Sequence, residues 1–356
     1  MALFDVVFEG GGAKGSAFAG ALTALKERGH STRRLVGTSA GAITATLAAA
    51  GYTPAEMLAA VNEKVDGKPR FAGFMDKPKA ADFNDDIRQN SDTVEALKQV
   101  HVPAFIDRDL LSLLLASPLY AQLFCFAECG GLFQGDNFRG WLTEKLAAKG
   151  IAAGGTLATM FAKTNVDLSV VTSDTTQKEL VVMNHRTAPD VPVAWAVRMS
   201  MSIPFVWREV IWQKGWGAYQ GRSLTGHKFV DGGMLSNFPI RLIDTRVPDI
   251  MGDTDPDGAL NLGLLLDENL PIAGFEDTKP AALADHLKVV QRVSRMMDTM
   301  MKAQDNREIR EYASEVCRLP VKGVGTTEFE MADDKLKALV DGGNTAMIAH
   351  LDSRSL

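Results

Sequence analysis

Short apolar runs alternate along the chain with longer stretches whose apolar positions recur at helical spacing. FDVVFE (residues 4–9) predicts a first strand, and SAFAGALTALKERG (16–29) predicts the helix after it, closed by Gly29. RRLVGTS (33–39) reads as a second strand, followed by AGAITATLAAAG (40–51), a helix of small residues. LSVVTSD (168–174), LVVMN (180–184), REVIW (208–212), HKFVDGG (227–233) and LNLGLLLD (260–267) add further strands. Runs with so little polar interruption suit a sheet buried on both faces. Strand, helix and strand in succession imply right-handed crossovers, so the pattern predicts the α/β class. A mostly parallel central sheet would carry helices on both faces.

Three stretches depart from this alternation. Residues 66–135 begin polar and turn-rich (DGKPRFAGFMDKPKAADFNDDIRQNSD) and then become strongly apolar, which reads as an insertion or cap within one domain. Inside it, LLSLLLASPLYAQLFCFA (110–127) lacks any charge and reaches the lower edge of membrane-spanning length. Pro118 in its middle, with Ser112, Ser117 and Gln122, predicts a kinked, buried or surface-lying helical hairpin instead. DTRVPDIMGDTDPDG (244–258) reads as a solvated loop whose acids lack the spacing of a calcium loop. HLKVVQRVSRMMDTMMKAQDNREIREY (286–312) predicts a long amphipathic helix, and its Met296, Met297, Met300 and Met301 read as core filler rather than a lipid-facing stripe.

Composition narrows the function classes. Hydrophobic residues make up 46% of 356 and charged residues 23%, the balance of a globular protein with a sizeable core. A net charge of -6 leaves no basic stripe for phosphates, so nucleic acid is not an expected partner. The three cysteines make no disulfide framework, and Cys125 and Cys129 lack a second pair for zinc, so free thiols in a reducing compartment are expected. MALFDVVFEGG enters a strand pattern directly, without an ordinary secretory signal. The expectation is a cytoplasmic chain, peripheral to membranes where it meets them, with export lacking a signal peptide left open.

The candidate chemistry gathers where predicted strands end. FEGGGAKGS (8–16) satisfies the dinucleotide fingerprint G-x-G-x-x-G, but the second strand ends without the acid that would hold a ribose. It is no phosphate loop either, because Gly15 is followed by Ser16. The second strand ends in GTSAG (37–41), a G-x-S-x-G pattern at a strand-to-helix turn. Gly37 and Gly41 would let Ser39 stand exposed at the sheet edge, where the helix dipole favours an alkoxide. The N–H groups of Gly11 and Gly12 could then hold an oxyanion, a charge present only during the reaction. Lys14 stays open between orienting that loop, meeting an anionic head group and being a plain surface lysine.

Serine needs a base. Of His30, His101, His185, His227, His286 and His350, only His227 lies just before a strand, and an exposed turn residue is its stronger reading. HKFVDGGMLSNFPI offers a carboxylate instead, Asp231, at a strand end and followed by Gly232 and Gly233. An aspartate with its ordinary pKa of ~3.9 is a weak base, so burial would have to raise it.

GGGAKG, GTSAG and DGG, in this order, resemble the patatin-like phospholipase family of lipid acyl hydrolases. VAWAVRMSMSIPFVW (193–207) is similar to the family's small-residue and proline segment, and FVDGGMLSNFPI matches its pattern through Asn237 and Pro239. LPVKGVGTTEF (319–329) resembles the closing strand and turn. The resemblance implies a three-layer α/β/α patatin-like fold over residues 3–330, with the helical insertion at about 66–135 as cap or lid and 331–356 as a C-terminal helical tail. It implies a dyad of Ser39 as nucleophile and Asp231 as base. Gly10, Gly11 and Gly12 would form the oxyanion loop, and Lys14, Gly15, Gly37, Gly41, Gly232 and Gly233 would support the motifs.

Lys14 stands where the family often has Arg. Met199 stands where Ala is frequent, which would reshape the pocket. The implied reaction is cleavage of fatty-acyl esters of phospholipids through an acyl-enzyme, as in a phospholipase A or other carboxylic ester hydrolase, without metal or cofactor. A small-ester or lysophospholipid esterase is the alternative, and a non-catalytic lipid- or nucleotide-binding module a more distant one. The implied partner is a phospholipid or other acyl-ester lipid, with peripheral membrane contact through Leu110–Phe126. The same stretch also reads as an extra core helix pair. Acyl position, head group, oligomeric state and any protein activator stay open.

Overall fold

The first strand, β1 (Leu3–Phe8), lies between β2 (Ser31–Thr38) and the strand Leu260–Pro271, parallel to both. The computed structural model describes residues 1–99, 108–243, 247–252, 258–275, 299, 308–326, 328 and 331–356. Among the described residues its central sheet has eight strands. From one edge the order runs Val316–Lys322, Leu260–Pro271, β1, β2, Asp167–Asp174, Lys228–Asp231 and Val210–Ile211, with Glu179–Met183 paired to Asp167–Asp174. The first five of these are mutually parallel. Glu179–Met183 and Lys228–Asp231 run antiparallel to Asp167–Asp174.

Alternation along the strands explains the apolar runs. Phe4, Val6 and Phe8 of β1, Leu35 of β2, and Leu168 and Val170 enter the larger core on one face. Their neighbours Val7, Val36 and Val171 enter a second core on the other, with Phe238, Ile240, Met251 and Tyr312. On the first face lie α1 (Ala17–Glu27), α2 (Ala40–Ala49) and the final helix Asp333–Ser353. Alpha1 and the final helix touch through small residues: Gly20 lies against the Val340 carbonyl and Gly343 against the Ala17 carbonyl. The stretch expected to be a loop at 244–258 instead contains a short helix at Pro248–Met251, whose Met251 is buried in the second core. The amphipathic helix expected at 286–312, with Met296, Met297, Met300 and Met301, lies almost wholly outside the described residues.

The stretch expected to be an insertion follows α3 (Pro54–Val61) and a two-stranded turn at Lys64–Pro69. It contains the expected hairpin, Arg108–Leu115 and Pro118–Cys129. Pro118 opens the second helix, where its missing N–H costs nothing, and left-handed Gly130 closes it at φ 75°. Phe83, Leu111, Leu115, Ala121, Phe124 and Cys125 make a small core of its own. The opposite side presents Leu113 (70% exposed), Leu119, Tyr120 and Leu123 to solvent. After the hairpin, Gly131–Phe133 pairs in parallel with Phe205–Trp207. Among the described residues no helix is long and apolar enough to cross a membrane, and all three cysteines are free.

Candidate active site

Strand register brings Ser39 and Asp231 together. Beta2 pairs with the first part of Asp167–Asp174, ending with Thr38 opposite Val171. There the chain turns into α2, and Lys228–Asp231 pairs with the remainder, with Asp231 opposite Thr172. Since Glu179–Met183 already holds the other edge of that strand, Asp231 continues the row that β2 leaves and arrives beside the turn. Ser39 sits on this turn with φ 53° and ψ −120°, a conformation that costs a non-glycine residue of order 1–3 kcal/mol. The turn is held because α2 crosses closely over β1: a Cβ on Gly41 would overlap the Phe8 carbonyl, and one on Gly37 the backbone of Gly41.

Asp231 is buried, and its Oδ1 accepts the Gly233 N–H at 2.8 Å. Burial pushes its carboxyl up to about 7, against the opposing pull of the Gly233 N–H and the Ser39 hydroxyl. The hydroxyl is close enough to exert that pull, yet Oδ2 has no hydrogen bond of good geometry. The pair is therefore assembled but open, as such pairs often are without substrate.

The glycine loop lies against the same turn. A Cβ on Gly10 would stand 3.2 Å from Ser39 Cβ. The Gly10 N–H is committed, donating to the Asn237 carbonyl at 3.0 Å, and the Ala13 N–H donates to the Thr326 carbonyl at 2.9 Å. Between them, the N–H groups of Gly11 and Gly12 find no acceptor among the described residues. Gly12 adopts φ +58°, with the Thr326 carbonyl where a Cβ would be, so only glycine fits. Two unoccupied N–H groups beside a serine at a helix N-terminus can bind an oxyanion.

Lys14 is buried, which excludes a plain surface lysine, and its ammonium is engaged internally. Nζ reaches Glu268 Oε1 at 2.5 Å and Thr326 Oγ1 at 3.1 Å, tying the loop to the end of Leu260–Pro271 and to the chain after Val316–Lys322. Asn237 adds a second tie, donating from Nδ2 to the Gly10 carbonyl at 3.0 Å and to Glu9 Oε1 at 3.2 Å. His227 is not the exposed turn residue the sequence suggested: it is largely buried, with Nδ1 2.7 Å from Oδ2 of buried Asp174. It immediately precedes the strand that Asp231 ends, so it stands away from Ser39.

A cavity of about 520 Å³ opens beside the loop. Gly12, Gly15 and Ala40 line its inner end, Ile43, Leu47, Met57 and Val61 its apolar wall, and Lys64 and Lys68 are among its polar lining. Met199, expected to shape the pocket, is fully buried in the larger core and does not line this cavity. Among the described residues no cluster of His, Cys, Asp or Glu has the makings of a metal site.

Sequence reasoning missed Glu268, Thr326 and Ser200. Ser200 Oγ accepts the Ser39 N–H at 2.9 Å and donates to the Val171 carbonyl at 2.6 Å. Its only signal was a place in the small-residue segment before Pro204.

The sequence pattern of the family described as Patatin-like phospholipase matches residues 6–244. An uncharacterized protein of Bacillus subtilis, YqhO, is 30% identical over 347 residues, covering 95% of this chain and 94% of that protein. VipD from Legionella pneumophila is similar at 17% identity and a TM-score of 0.48, over 98% of this chain and 67% of that one. A chain of the ExoU–SpcU complex from the type III secretion system of Pseudomonas aeruginosa is similar at 17% identity and a TM-score of 0.43, and this chain covers 52% of its length. The chain belongs to the patatin-like phospholipase family, a family of lipid hydrolases.

Proposed function

We propose that the protein cleaves fatty-acyl esters of phospholipids with a Ser39–Asp231 dyad. The observation that carries this reading is a buried carboxyl, raised by its burial above the ordinary aspartate value, beside a serine hydroxyl on a strained strand-to-helix turn. As carboxylate, Asp231 accepts the Ser39 proton while Oγ attacks the ester carbonyl carbon. The tetrahedral oxyanion is received by the Gly11 and Gly12 N–H groups. Collapse releases the alcohol, which takes the proton from Asp231, and leaves the acyl group on Ser39. Asp231 then deprotonates a water that attacks the acyl-enzyme, and on collapse it returns that proton to Ser39 Oγ as the fatty acid departs. This chemistry calls for neither metal nor nucleotide.

The cavity beside Ala40 supports an acyl substrate, since Ile43, Leu47, Met57 and Val61 offer a chain an apolar wall next to the reacting ester. The test is covalent labelling by a fluorophosphonate, followed by mapping of the modified peptide. Modification at Ser39, abolished in Ser39→Ala and protected by a lipid ester, is expected; labelling elsewhere, or none, overturns the reading.

A further inference from the structure

One turn of chain at the end of the helix Val193–Ser200 reaches both members of the dyad through their backbone. Ser200 Oγ accepts the Ser39 N–H at 2.9 Å, and the Ser202 carbonyl accepts the Asp231 N–H at 2.9 Å. The Ser200 hydroxyl is fully buried, and its own proton goes to the Val171 carbonyl at 2.6 Å. Val171 is the residue opposite Thr38, so the hydroxyl bridges the end of β2 to the strand that carries Asp231's partner residue Thr172. At φ 53° the Ser39 peptide leaves the β2 ladder, and this side chain supplies the acceptor its N–H would otherwise lack. Ser202 is itself fastened: its Oγ donates to the Arg198 carbonyl at 2.6 Å and accepts from the buried Arg198 guanidinium. That guanidinium also donates to the Gln134 carbonyl at 2.5 Å, just after the strand Gly131–Phe133.

We propose that Ser200 is a positioning residue for the nucleophile. Its hydroxyl holds the Ser39 peptide in the strained conformation that aims Oγ between Asp231 and the glycine loop, without touching substrate. The inference rests on Ser39 being the nucleophile. A purely structural serine would affect folding alone; a positioning serine affects the chemical step while substrate binding stays as it was.

The experiment compares fluorophosphonate labelling rate, kcat and KM for a soluble ester, and thermal unfolding in the wild type, Ser200→Ala, Ser200→Cys and Ser200→Thr. Leaving the Ser39 N–H with no acceptor, or only a weak sulfur one, predicts a roughly 10- to 100-fold lower kcat and labelling rate in whichever of Ser200→Ala and Ser200→Cys folds. KM should move less than about threefold, and Ser200→Thr, which keeps the hydroxyl, should stay within about threefold of wild type throughout. A folded Ser200→Ala or Ser200→Cys that labels at the wild-type rate overturns the proposal. If only Ser200→Thr folds, near-wild-type labelling supports it and a tenfold loss overturns it. A wild type unlabelled at Ser39 removes the dyad reading instead, which separates the two failures.

Discussion

The carboxyl of Asp231 is the residue whose environment has the most consequence. Burial favours its neutral form, so the folded chain keeps a proton over the interval from 3.8 to about 7, where the unfolded chain has released it. Two effects follow with opposite benefit. If Asp231 is the base, activity needs its carboxylate, so kcat/KM should rise with pH through about 7 and level off above it. Stability should fall as pH rises across the same interval. Asp231→Asn removes that titration, so above pH 7 it should unfold at higher denaturant than wild type, by on the order of 4 kcal/mol at most, and converge with it below 3.8. Urea unfolding of both proteins at the two extremes checks the sign. Lys14 acts at the same scale by a different route. With its ammonium shared between Glu268 and Thr326, Lys14→Met should loosen the glycine loop and lower kcat about tenfold or more, short of the ~10²–10³ lost with an oxyanion donor. Lys14→Arg, which keeps the charge, should lose less; equal losses in both variants would contradict a tether.

Turns and helix contacts carry the next level. Gly41 lies where α2 passes over the end of β1, and the atoms a Cβ would meet are the Phe8 and Glu9 carbonyl groups, which cannot swing aside as a side chain can. Gly41→Ala should therefore cost roughly 1–3 kcal/mol and displace Ser39, lowering activity beyond the loss of folded protein. Thermal unfolding and active-site titration together measure the two parts. The elements that meet here were legible in the sequence because each is a strand ending in glycines: GGG after β1, GTSAG after β2, DGG after Lys228–Asp231. Period and turn chemistry are local, and local signals survive in one sequence. What could not be read locally was partnership. The role of Lys14 stayed open in the sequence because its partners, Glu268 and Thr326, lie far along the chain. His227 looked exposed until Asp174 came beside it from the neighbouring strand. Ser200 sat among other small residues of a helix, with nothing in its spacing to mark the one hydroxyl that meets Ser39.

At the scale of the molecule, the helical hairpin has a small core of its own, and its solvent face is apolar at Leu113, Leu119, Tyr120 and Leu123. Leu115 belongs to the buried side, so only the exposed set probes contact with lipid without disturbing the hairpin. If this face meets the bilayer that supplies substrate, changing Leu113, Leu119 and Leu123 together to serine should lower hydrolysis of phospholipid vesicles by roughly tenfold or more, since each buried leucine is worth about 1.5–3 kcal/mol. Hydrolysis of a soluble ester should stay unchanged; equal loss on both substrates would mean the hairpin supports the fold rather than the interface. The most direct test of the dyad comes before that. Hydrolysis of a short p-nitrophenyl ester and of phospholipid vesicles should be measured with chelator present, in wild type, Ser39→Ala and Asp231→Asn. Turnover of both substrates by wild type, lost in both variants, is the predicted result. Activity that survives either substitution would contradict the assignment of Ser39 and Asp231.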